Sequence, residues 1–209
     1  MEEDRPAPGE ELNRGPAVTP RPAATVILLR GAHDVLETLL VKRNPQARFM
    51  GGAWVFPGGA VDRAEGSGDR ALRTAALREL HEEAGIELEG PQELVPFSRW
   101  ITPAEIKIRF DTWFYLATAP PGVQVRVDGR EVVAARWYEP RKALAAASTG
   151  EILLVFPTIK HLEQLARFRS ATELVEYARQ RDVQPVLPRV LLSGEAARIV
   201  LPDERGYDD

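Results

Sequence analysis

The chain contains no cysteine, which excludes disulfides, thiolate zinc sites and a cysteine nucleophile together. Its three histidines, His33, His81 and His161, are too scattered in sequence to suggest a site. No apolar run approaches the roughly 20 residues needed to span a bilayer, and the N-terminus lacks the basic-then-apolar order of a signal peptide. The expectation is a cytoplasmic protein with no membrane partner. Positive charge is not in excess either: 27 Lys and Arg stand against 31 Asp and Glu, a formal charge of −4. That balance argues against holding nucleic acid by bulk phosphate attraction. Neither a phosphate loop with Gly-Lys-Ser/Thr nor a Ser-centred nucleophile elbow occurs.

What is present suits one domain of ordinary size, 209 residues with 44% hydrophobic and 28% charged side chains. Residues 1–21 are rich in Pro, Gly and charge, and with few large apolar side chains they are expected to form a flexible tail. The folded domain is then 22–209. Apolar runs at 24–30 and 35–42, separated by Gly31 to Asp34, predict a hairpin. "AWVFPGG", 53–59, reads as a short strand ended by a turn, and further strands are expected at 94–101, 111–117 and 132–138. Helices are expected after Pro140, after Pro157 and near 171–180, with an apolar run at 152–156 between the first two. Strands and helices interleaved in this way predict an α/β layered domain.

One helix carries the chemistry. In "ALRELHEEAGIEL", 76–88, a helical period of 100° per residue sets Leu72, Ala75, Ala76 and Leu80 on one side and Arg70, Thr74 and His81 on the other. Glu79 and Glu83 project along the apolar stripe, with Glu82 at its margin. An ordinary surface helix keeps its glutamates opposite that stripe. Like charges gathered there resist ionisation unless a cation sits among them, and carboxylate oxygens suit Mg²⁺ or Mn²⁺. Solvated pairing with Arg73 and Arg78 is the alternative on helical position alone. Ser67 or Asp69 is expected to cap the helix and Gly85 to end it.

The wider stretch "GGAVDRAEGSGDRALRTAALRELHEEAGI" resembles the signature box of the Nudix hydrolases. Gly59 and Glu65 fit its first half; Arg78, Glu79, Leu80, Glu82, Glu83, Gly85 and Ile86 fit its second. Twelve residues lie between Glu65 and Arg78, five more than in the usual box, so either the loop is longer or the helix starts earlier. The resemblance implies an αβα sandwich around a mixed β-sheet, with a helical extension at the C-terminal end. It implies that Glu79, Glu82 and Glu83, joined by a backbone carbonyl near Gly58, are metal ligands for Mg²⁺ or Mn²⁺. Arg78, and Glu65 if the insertion spares its role, would orient those carboxylates.

The family cleaves a diphosphate linked to another moiety, using water and divalent ions. The water's proton would go to Glu82, within the box, or to an acid on a later loop, for which Glu131 is the candidate; a solvated strand-edge residue is the other reading of Glu131. Arg99 and Arg109 are candidates to clamp phosphates, and Trp100, Trp113 and Phe114 either stack on a base or pack the core. "FMGGAWVFPGGAVD", "RWITPAEIKIRFDTWFYLA" and "VLPDERGY" look like the branch that includes coenzyme A and acyl-coenzyme A diphosphatases. The substrate partner expected is therefore a small diphosphate compound, best coenzyme A or an acyl-coenzyme A. Other Nudix substrates (NDP-sugars, NADH, dinucleoside polyphosphates, NTPs) and a non-catalytic nucleotide-binding regulator are the alternatives. A homodimer is left open.

Overall fold

The strand Arg21–Arg30 (β1) sets the layering of the molecule. Successive side chains of a strand point to opposite faces, and here both sets are apolar: Ala24, Val26 and Leu28 enter one core cluster, Ile27 and Leu29 the other. A strand apolar on both faces needs cover on both. The computed structural model, which describes residues 11–31, 35–193, 196–205 and 207, shows that cover. Gly68–Ala84 (α1) lays Ala75, Ala76, Leu80 and Ala84 against the first set. Pro140–Ser148 (α2), Phe156–Leu165 (α3) and Ala171–Arg179 (α4) cover the second. The result is the expected αβα sandwich.

Between the helices lie Glu37–Arg43 (β2), Ala53–Val55 (β3), Gly58–Ala60 (β4), Val95–Ile101 (β5), Phe110–Thr118 (β6), Val132–Tyr138 (β7), Leu153–Leu154 (β8) and Pro185–Val186 (β9). Their order is β8-β3-β2-β1-β6-β5-β9, with β4 on β1 and β7 on β2. The sheet is mixed: β6 runs parallel to β1, whereas β2 and β4 run antiparallel to it. β2 pairs with β1 through Leu29–Thr38 and Arg30–Glu37, and further back β1 pairs instead with β4, through Ala23–Ala60, Ala24–Gly59 and Thr25–Gly58. β2 therefore parts from β1, and its far end carries Arg43.

Three expectations are corrected and one apolar run is placed. Residues 53–59 form two strands rather than one ended by a turn: β4 begins at Gly58, and its pairing with β1 overrides the turn preference of Pro57-Gly58-Gly59. The apolar run 152–156 gives only a two-residue strand, because Phe156 already opens α3 with Pro157 in its first turn. The C-terminal extension is not purely helical: Arg189–Ser193 (β10) and Ala196–Val200 (β11) pair antiparallel, and Val190 and Ile199 join Ile106 and Phe156 in a third apolar cluster. Of the residues read as a tail, 11–21 are anchored. Leu12 bridges Ile106, the Asn13 amide donates to the Glu105 carbonyl at 2.6 Å, and Lys107 pairs with Glu11 at 2.7 Å. Composition does not reveal such anchoring, because backbone groups and one exposed ion pair supply it. Residues 1–10, and Ala32 to Asp34 of the hairpin, lie outside the described residues.

The five extra residues of the box lengthen the helix. α1 runs for 17 residues from Gly68, and Ser67 occupies its N-cap position in extended backbone without a side-chain cap bond. Asp69 instead accepts from Arg73 at 2.7 Å, and Arg73 also donates to the carbonyls of Pro91 and Leu94, tying the added turns to the segment before β5. At the other end Gly85 takes the left-handed conformation, φ 65°, and its amide donates to the His81 carbonyl at 2.8 Å, the stop expected of glycine.

Candidate active site

Helical phase explains the depth of each glutamate on α1. Glu83 follows Ala75, Ala76 and Leu80 on the buried stripe, and its side chain is 4% exposed; Glu79 is 14% and Glu82 54% exposed. The sequence reading of two inward carboxylates with one at the margin is what the structure shows.

Glu83 has a partner of its own, whereas Glu79 and Glu82 share Arg78. The Gly58 amide donates to Glu83 Oε2 at 2.9 Å, while Arg43 Nη1 lies 3.9 Å from Glu83 Oε1. Arg78 Nη1 donates to Glu79 Oε1 at 2.8 Å and to Glu82 Oε2 at 2.9 Å. Its Nη2 donates to the Ala60 carbonyl at 3.0 Å, and its Nε to Glu65 Oε1 at 2.9 Å. Glu65 thus stands against Arg78 despite the insertion. The short helical turn Arg63–Glu65, between β4 and α1, presents it there. Gly59 leaves room for the Glu79 carboxylate, since a Cβ on Gly59 would stand 2.3 Å from Glu79 Oε1.

Burial dominates the electrostatics. It pushes Glu79 up from the ordinary glutamate value, against the pull of Arg78. It pushes Glu83 up to about 7, opposed by the Gly58 amide and Arg43 and reinforced by Glu79 and Glu131. For Arg78, burial works against the charge, but the bonds to Glu65, Glu79 and Glu82 outweigh it and raise the value.

These groups border a cavity of about 380 Å³. Glu79, Glu83, Gly58 and Gly59 line it, as does the exposed Glu131 at its edge. Trp100, Phe110, Phe114 and Phe156 line the same cavity, with Ile106 and Ile199 from the third apolar cluster. Met50, also in the lining, has φ 53° and is the one non-glycine among the described residues with a positive value. Such strain concentrates at working surfaces.

Other candidates lie elsewhere. Glu82 is not in the cavity lining. The fork of Arg99 is occupied by Asp111, at 2.8 and 2.6 Å, and Arg109 donates to the carbonyls of Thr102 and Val18; neither lines the cavity. Trp100 and Phe114 do, whereas Trp113 stacks on Tyr115 at 6.3 Å. His81 is exposed beside Glu87, and His33 is outside the described residues. His161 is buried between Ser98 Oγ and the Pro157 carbonyl, 2.6 Å from each, and burial drives its value down to about 4, so it packs as a neutral ring. Sequence reasoning missed Arg21 and Arg43, the cationic lining residues; the "VKR" that ends β2 carried no local signal.

No group of three His, Cys, Asp or Glu side chains is arranged as an ion cage among the described residues, because Glu79 and Glu82 turn to Arg78 and Glu83 to Gly58. The donor chemistry nevertheless fits a hard divalent cation. Burial raises the proton affinity of both the buried Glu83 and the largely buried Glu79, carboxylate oxygens are the donors such an ion takes, and the close approach over Gly59 leaves Glu79 at the cavity wall.

A family model for the NUDIX domain matches residues 19–155. The chain belongs to the Nudix family. Among curated relatives, putative nudix hydrolase 7 of Caenorhabditis elegans is 26% identical, covering 81% of this chain and 68% of the relative. The human acyl-coenzyme A diphosphatase NUDT19 is 24% identical, covering 81% and 72%. The crystal structure of a NUDIX hydrolase from Alicyclobacillus acidocaldarius superposes with TM-score 0.67 at 28% identity, over 76% of this chain and 96% of that one. The protein is thus a Nudix hydrolase with a mixed-sheet αβα fold, of a family that generally uses divalent metal ions. No helix among its described residues is long and apolar enough to cross a membrane.

Proposed function

We propose that this Nudix hydrolase cleaves the diphosphate bridge of coenzyme A or an acyl-coenzyme A with Mg²⁺ or Mn²⁺. The observation that carries the reading is one cavity whose lining combines Glu79, Glu83 and Glu131 with aromatic and aliphatic side chains. A diphosphate joined to a pantetheine arm, apolar where it is acylated, suits a lining that holds both kinds of side chain, and similarity to an acyl-coenzyme A diphosphatase supports the choice.

A bound divalent ion supplies neutralisation of phosphate oxygens and a water of lowered pKa. Glu79 and Glu83 would hold it, with Glu82 joining if it leaves Arg78, and with the backbone at Gly58. Arg78 is a positioning residue: it fixes Glu79 and is itself fixed by Glu65. Water attacks one phosphorus, the bridging P–O bond breaks toward the other phosphate, and a carboxylate takes the water's proton. Glu131 is the better-supported base, because it borders the cavity, whereas Glu82 does not and is bound to Arg78.

The test is product release from coenzyme A, acyl-coenzyme A, NDP-sugars, NADH, dinucleoside polyphosphates and NTPs, with each metal. Cleavage of the coenzyme A compounds at the diphosphate is expected. Strong turnover of another compound with none of coenzyme A or its acyl esters would reject the substrate.

A further inference from the structure

Partly buried arginines elsewhere in this molecule are well supplied with acceptors. Arg73 donates to Asp69 and two carbonyls, Arg78 to three carboxylates and a carbonyl, and Arg99 to both oxygens of Asp111. Arg43 is the exception. Its side chain is only 23% exposed, yet among the described residues its one ionic neighbour is Glu83 at 3.9 Å, beyond hydrogen-bond distance, and its buried Nε has no hydrogen-bond partner. Leaving an N–H donor unmet away from bulk water is costly, and the buried Nε of Arg43 is such a donor.

The backbone keeps it there all the same. Arg43 ends β2, where its carbonyl accepts from the Gly52 amide at 3.2 Å. The pairing of β2 with β7 slips at this residue: Lys42 faces Ala134 but Arg43 faces Val132. Such irregularities re-aim a side chain and recur beside active sites. Here the re-aimed side chain lines the cavity that Glu79, Glu83 and Glu131 border.

We propose that Arg43 is a substrate-binding residue whose planar fork takes the non-bridging oxygens of the substrate's diphosphate, and that its loose contact with Glu83 is its resting position. The inference rests on the cavity being the diphosphate site. The fork suits two anionic oxygens at once, and a diphosphate satisfies the donor that the protein leaves unmet. Arg43 thereby takes the clamping role that the sequence suggested for Arg99 and Arg109.

The experiment measures binding of α,β-methylene-ADP, whose bridge cannot be hydrolysed, and of adenosine, to wild type, Arg43→Met, Arg43→Lys and Arg99→Met, by calorimetry with Mg²⁺ and again with chelator. Arg43→Met is expected to weaken the diphosphate analogue on the order of 10- to 100-fold. Arg43→Lys should lose less, and adenosine affinity and Arg99→Met should stay as in wild type. Thermal unfolding checks that each variant folds; if Arg43→Met does not, Arg43→Lys still decides, since it keeps charge and stem but loses the fork. The proposal is overturned if the folded Arg43 variants bind the analogue as wild type does, if they lose adenosine equally, or if wild type binds no analogue. Turnover is scored separately. A wild type that hydrolyses diphosphates while Arg43→Met keeps its KM removes Arg43 and leaves the enzymatic reading intact. Binding through Arg43 without any turnover does the reverse.

Discussion

The corner where α1 meets β4 and the ribbon formed by β5 and β6 are both crowded with charged and aromatic side chains, but they settle their charges differently. On the ribbon, Arg99 is matched by Asp111, Arg109 by two carbonyls, and the buried His161 is kept neutral. At the corner, Glu83 is buried and Glu79 largely so, burial outweighs the compensation each receives, and the Nε of Arg43 nearby has no hydrogen-bond partner. Residues of the same type thus serve structure where they are satisfied and mark the site where they are not. Unmet charge, rather than charge itself, is the informative quantity.

The comparison breaks first at Glu83. Glu83→Gln keeps an acceptor for the Gly58 amide but removes a charge suited to a divalent ion, and kcat/KM is expected to fall by about a thousandfold with Mg²⁺ or Mn²⁺. Arg99→Met, on the ribbon, should stay within about twofold. Equal losses in the two variants would erase the distinction.

A second difference concerns pH in the metal-free protein. The Glu83 carboxyl holds its proton to about 7 when folded and to 4.5 when unfolded. Between those values the folded state binds more protons, so stability declines as pH rises through the window, by about 3 kcal/mol at most. Urea unfolding in chelator from pH 4.5 to 8 should show this decline in wild type and a flatter curve in Glu83→Gln. A wild-type curve rising across the window would mean the carboxyl is not destabilised by burial.

Smaller effects sharpen the contrast. Gly59→Ala places a Cβ against the Glu79 carboxylate, the movable end of a side chain. Activity is expected to drop about 10- to 100-fold while the unfolding midpoint in urea hardly moves; a loss of folding instead would make Gly59 a packing residue. Smallest, Arg99→Met should cost about 1 kcal/mol in urea unfolding, because its bond to Asp111 is forked but partly solvated.

Much of this was legible in the chain. The strands at 95–101, 110–118 and 132–138 and the helix around Glu79 announced themselves by period, and the box placed Arg78 and the three glutamates on one helix. Glu65 was ambiguous in sequence because of the insertion, and only the fold shows that it stands in contact with Arg78. The ribbon arginines misled, since an arginine looks the same in sequence whether or not an aspartate twelve residues on occupies its fork. The hairpin of β10 and β11, which brings Ile199 to the cavity, was read as helical extension because its pattern is short.

The sequence by itself determined which side chains share the inner face of α1, since helical period is a local property of consecutive residues. It also determined the layering, through a β1 apolar on both faces. Only the tertiary structure decided that Glu131 rather than Glu82 borders the cavity, that Arg21 and Arg43 rather than Arg99 and Arg109 line it, and that aromatic and aliphatic side chains share that lining with the carboxylates. Those facts depend on which distant segments the sheet sets side by side, and on which charges are left without a partner once the chain has closed.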